Sequence, residues 1–108
     1  MIKVDIKTKN GSIVRGEFSG HAMFSDTNDI VCASVSSVVF ATLNGIENII
    51  GISFVYEVKD GYLLFIMPDN IEPNKKQRVD DLLNTLYLYL VELEKQYEVN
   101  IKVVKTEV

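Results

Sequence analysis

The sequence predicts an α+β fold: a two-layer sandwich in the order β-β-α-β-β-α-β, with a mostly antiparallel sheet and two helices packed on it. Three observations carry this reading. The pairs Asn10-Gly11 and Asp60-Gly61 each lie between two runs of strand-like residues, the mark of a tight hairpin. Two longer stretches, opening near Ile30 and at Glu72, repeat apolar residues at helical spacing. The C-terminal stretch returns to simple alternation. Hairpins make neighbouring strands antiparallel, and each helical stripe needs a sheet face to cover it.

Taken in order, Ile2, Val4 and Ile6 alternate with Lys3, Asp5 and Lys7, as in a half-buried strand. The return strand, Ser12 to Ser19, sets Val14, Gly16 and Phe18 on one face, and Gly20 ends it. From about Ile30 to Ile46 a helix is expected, with Val31, Val35, Val38, Val39, Leu43 and Ile46 on one stripe. Its many β-branched residues lower intrinsic helix propensity, so tertiary packing must hold it. Asn44-Gly45 weakens its end, and Gly51 separates it from the next strand. Ile52 to Val58 alternates, and Tyr62 to Met67 is almost wholly apolar, as in a central strand covered on both faces. Pro73 suits the first position of a second helix. Val79, Leu82, Leu83, Leu86, Leu90, Leu93 and Tyr97 form its stripe, while Tyr87, Leu88 and Val91 fall on a second face. That second face either packs on the first helix or serves self-association. Glu98 to Val104 closes the chain as a strand.

The 108 residues fit one domain, and 47% hydrophobic with 24% charged residues describes an ordinary globular chain. No apolar run reaches the ~18 residues of a membrane span, so no membrane partner is expected. Alternation at the N-terminus lacks the apolar core of a secretory signal. One cysteine excludes an internal disulfide and agrees with a cytoplasmic location. One histidine and one cysteine are a poor zinc set, so neither a metal nor another cofactor is expected. A net charge of −4 with scattered basic residues argues against direct nucleic-acid binding. It favours encounter with a basic partner instead.

Chemistry concentrates between Gly20 and Phe40, which holds both His21 and Cys32. With Asp29 as N-cap, Cys32 falls in the helix's first turn, where unpaired N–H groups favour thiolate over thiol. His21, at a strand end, would supply the base of a nucleophile–base pair. Backbone N–H groups of Cys32 and Ala33 are then the natural oxyanion donors. Asp29 is assigned to capping and orientation, Asp26 is a lesser candidate for orienting His21, and Ser36 is a polar neighbour of the sulfur. On spacing alone, a lone cysteine is more often a small buried apolar residue.

Gly20-His21-Ala22, a short polar loop, then Asp29-Ile30-Val31-Cys32-Ala33 and Val35-Ser36 resemble the ribosomal-processing cysteine proteases (Prp). The loop departs from the family pattern: it is one residue shorter and lacks the glycine before the Asp-Ile-Val-Cys segment. The resemblance implies that residues 1–108 are a single cysteine-protease domain with Cys32 and His21 catalytic. It also implies a homodimer whose substrate is a ribosomal protein precursor. The cut would remove a short apolar N-terminal extension of a large-subunit protein, after an aromatic pair. Met23 and Phe24 could line the groove for such side chains. Two rivals stay open: a noncatalytic ribosome-associated module with a structural cysteine, and a hydrolase or acyltransferase acting on a small molecule.

Overall fold

The computed structural model describes residues 1–20 and 26–108, with residues 26–29 described by backbone alone. Strands β1 (Ile2–Lys9) and β2 (Ser12–Ser19) form the first hairpin, followed by helix α1 (Asp26–Gly45). A wider, π-helical turn over Ile46–Ile50 extends α1 before β3 (Val55–Lys59) and β4 (Tyr62–Ile66) make the second hairpin. Helix α2 (Pro73–Gln96) and strand β5 (Ile101–Glu107) complete the order expected from the sequence. Among the described residues the sheet has five strands in the order β3-β4-β2-β1-β5. The hairpin strands pair antiparallel, and β5 joins β1 in parallel, with Ile101 beside Ile2.

One face of this sheet carries the core. Ile2, Val4 and Ile6 of β1 are buried under α1 and α2, while Lys3 is exposed and Asp5 and Lys7 half-buried. The outer face is polar, with Lys7 paired to Asp5 at 3.5 Å and Arg15 to Glu17 at 3.6 Å. Val31, Val35, Val39 and Leu43 of α1 and Val79, Leu83, Leu86 and Leu90 of α2 fill the space above the sheet. Phe65 is fully buried and its ring lies where a side chain on Gly16 would stand. Leu90 is likewise fully enclosed. Leu90→Ala is expected to remove about 3 kcal/mol of stability, the range for truncating an enclosed leucine. A lowered urea midpoint with an unchanged m-value checks it.

Several expectations change in detail. On β2 the buried residue is Ile13, not Val14, because the register slips by one residue opposite Lys7 and Thr8. Such a bulge turns the following side chain over, and Val14 instead accepts the Met67 N–H at 2.8 Å. Strand β4 is buried on one face only: Leu63 and Phe65 are enclosed, while Tyr62, Leu64 and Ile66 are half-exposed. Its continuous apolar run reflects a sheet with one covered side, not two. Helix α1 passes through Asn44 and Gly45, which keeps helical angles (φ −63°, ψ −43°), because buried Ile46 and Ile50 anchor the following turn. Gly51, left-handed at φ 84°, stops it by donating to the Ile46 carbonyl. The run Ile30–Ile50 therefore has the length and mean hydropathy (1.6) of a membrane span, contrary to the sequence expectation. In this fold its apolar stripe is core. Strand β5 begins at Ile101, after a turn in which Asn100 donates to the Tyr97 carbonyl, and leaves Val99 exposed.

Candidate active site

Helix α1 presents Cys32, Val35, Ser36, Val39 and Phe40 at spacings of three and four, which places them on one face. That face closes an apolar cavity of about 200 Å³ against the sheet. Across from the helix, the cavity is bounded by Gly20 at the end of β2 and by Val58, Gly61 and Tyr62 around the second hairpin turn. Cys32 is half-buried, packed on the core yet open to this cavity. It is a boundary residue, neither enclosed in the core nor open surface. Ser36 follows one turn later on the same wall, so the expected polar neighbour is present.

Gly20 is fixed from three directions. Its N–H donates to the Gly61 carbonyl at 2.9 Å, tying the end of β2 to the β3–β4 turn. Its φ is +90°, a region that side chains with a Cβ avoid. A Cβ there would also collide with the Met1 carbonyl oxygen. The glycine ends the strand, as expected, and there the backbone of Met1 approaches it closely beside the cavity. Tyr62 borders the same space with its hydroxyl donating to Glu17 at 2.6 Å. That hydrogen bond is the main cause holding the phenol's pKa above its ordinary value.

The other site residues divide as follows. His21, Met23 and Phe24 lie outside the described residues, as do the side chains of Asp26 and Asp29. The helix begins at Asp26, not after Asp29, so Asp29 is not the N-cap. Asp26, Thr27 and Asn28 are as suited to an opening turn as Asp29, and acidic residues there complement the dipole. The correction moves Cys32 to the second turn. The N–H groups of a helix that lack partners are its first four. The N–H groups of Cys32 and Ala33 fall beyond those four, which removes the first-turn argument for making them oxyanion donors. Ala33 moreover faces the opposite side, in a shallow dish with Ile30, Val38 and Tyr89. Of the second α2 face, Tyr87 is taken up by the domain itself: it packs on the core, with the Lys105 ammonium 4.4 Å from its ring centre. Leu88 stays exposed and Val91 is half-buried, while neighbouring Tyr89, outside the expected face, is also exposed. Sequence reading missed Val58 and Tyr62 as cavity residues, since strand alternation does not say which helix lies opposite.

A half-buried thiol opening into an apolar cavity, with the strand end that precedes the chain's histidine on the facing wall, has the build of a cysteine peptidase. Comparison with known proteins agrees. A family model for the cysteine protease Prp matches residues 1–102. The chain is 29% identical over 107 residues to the ribosomal processing cysteine protease Prp of Bacillus subtilis (strain 168), covering 95% of this chain and 96% of that one. It is similar to the crystal structure of Prp from S. aureus in complex with a substrate peptide, at a TM-score of 0.85 and 24% identity, covering 98% of this chain and 100% of that one. A second S. aureus Prp structure, with a covalently linked product peptide, gives a TM-score of 0.83 at 27% identity over the same shares. The chain belongs to the cysteine protease Prp family.

Proposed function

We propose that this protease removes a short apolar N-terminal extension from a large-subunit ribosomal protein, the twenty-seventh of the bacterial ribosome, using Cys32 as nucleophile and His21 as its base. The observation that carries the reading is that Cys32 and Gly20 bound one cavity, and a single peptide bond separates Gly20 from His21. Cys32 attacks the scissile carbonyl, and the leaving amine takes its proton from His21. Water then releases the acyl-enzyme. Ribosomal processing is part of the name of the Bacillus relative, which aligns over nearly its whole length. The apolar cavity suits an aromatic or aliphatic side chain beside the cut.

Placing the sulfur in the second turn sharpens the role of His21. The helix dipole acts mainly within the first turn, so the imidazole must supply most of the support for a thiolate. Alkylation by iodoacetamide at neutral pH is expected to be fast in the wild type and at least roughly tenfold slower in His21→Ala. Equal rates would return Cys32 to a structural role. Incubation with a peptide spanning the extension and the first mature residues, followed by mass determination, tests the substrate. A single cut after the aromatic pair is expected.

The same reading has the protein acting in the cytoplasm as a homodimer without direct contact to nucleic acid. Exposed Leu88 on α2, and exposed Tyr89 in the shallow dish it shares with Ile30, support self-association. The net charge of −4 supports a basic protein substrate over RNA.

A further inference from the structure

The two edges of the sheet are built differently. At β5 the Glu94 carboxylate of α2 accepts the Val103 N–H at 2.6 Å, and Lys105 covers the Tyr87 ring. Such cover blocks pairing with another strand. At β3, among the described residues, no strand lies beyond. The ladder shows which backbone groups face outward there. Gly61 accepts from Gly20, and Met67 donates to Val14, so the odd residues of β4 bond toward β2. The even ones, Tyr62, Leu64 and Ile66, bond toward β3, opposite Lys59, Glu57 and Val55. By antiparallel alternation the N–H and C=O of Tyr56 and Val58 point out of the sheet.

Those two residues also stand opposite Phe65 and Leu63, on the face that the helices cover. Yet each remains 46% exposed, because α1 stops short of the edge. Val58 forms part of the wall of the Cys32 cavity. An extended chain with its carbonyl at the sulfur therefore meets an apolar cavity and outward backbone groups at the strand repeat of about 6.8 Å.

We infer that β3 is the docking edge for the substrate, whose residues on one side of the scissile bond pair with Tyr56 and Val58 as a sixth strand while alternate side chains enter the cavity. The inference rests on the proteolytic reading above. Main-chain pairing gives affinity, and alternate pockets give selectivity, as in other strand-addition complexes. Without ladder pairing at this edge, Val58 and Tyr56 would act only as apolar surface.

The test scans N-methyl groups along the cleavable peptide and measures kcat/KM with the wild-type enzyme. Loss at every second residue, roughly tenfold per blocked amide through KM, is expected. Val58→Pro removes one outward N–H at a position where an edge strand tolerates proline. It should raise KM about tenfold. A flat scan with normal cleavage overturns the inference and leaves the protease reading intact. Failure of the wild type to cut the unmodified peptide overturns both. A Val58→Pro variant with unchanged KM and an altered sedimentation mass assigns the edge to a second copy, and also overturns it.

Discussion

Cys32→Ala should abolish cleavage of the extension peptide, lowering kcat by roughly 10⁴-fold or more. The expectation follows from where the sulfur sits. Cys32 is half-buried at the wall of a cavity, not enclosed in the core, so removing one atom leaves the packing of Val31 and Val35 intact. The variant should fold with nearly wild-type stability, and the loss is then chemical. Cys32→Ser keeps the size and a polar atom but replaces a ready nucleophile with a hydroxyl that is poorly ionised at neutral pH. It should be almost as inactive. Mass spectrometry should find an acyl adduct on the wild type when hydrolysis is slowed, and none on either variant. Cleavage persisting in Cys32→Ala at more than a few per cent of wild type would remove the sulfur from the mechanism.

Gly20→Ala carries the second large effect, and its cause is geometric. The residue combines a left-handed φ of +90° with a neighbouring carbonyl, that of Met1, in the space a Cβ needs. Its N–H also ties β2 to Gly61. A methyl group there forces the strand end to turn or the N-terminal residue to retreat, and His21 is the next residue in the chain. Displacing a catalytic group by about 1 Å typically costs about 100-fold in rate. kcat/KM for peptide cleavage should fall by that order. The core, centred on Phe65 and Leu90, lies away from the change, so the denaturation midpoint should move much less than activity does. Deleting Met1 in the Gly20→Ala background removes the clashing carbonyl and should restore part of the rate. Full activity in Gly20→Ala would show that this strand end does not position the histidine.

The two hairpins, the opening of α2 at Pro73 and the buried stripes of both helices were legible because they are local signals. Asn10-Gly11 and Asp60-Gly61 prescribe turns through backbone preference, and spacing of three and four residues prescribes a helical face. Misplaced ends have a common cause. Asp26 through Asp29 all suit a helix's opening turn, so sequence preference does not choose among them. At the other end, Gly45 should have weakened the helix, but burial of Ile46 and Ile50 outweighs a propensity cost of about 1 kcal/mol. Val14 lost its expected core position to Ile13 through a bulge, which depends on pairing with β1 and leaves little trace in β2 alone.

By itself the sequence determined the element order, the apolar faces, and a histidine and a cysteine kept on one short stretch. Those depend on interactions between residues a few positions apart. Only the tertiary structure decided that Cys32 stands on the second turn of α1 and that the end of β2 borders its cavity. It alone also left Tyr56 and Val58 on a strand beyond which, among the described residues, no further strand lies. These features come from strands and helices meeting across tens of residues, where packing of Phe65 against Gly16 and of α1 against the sheet sets the register that no local preference encodes.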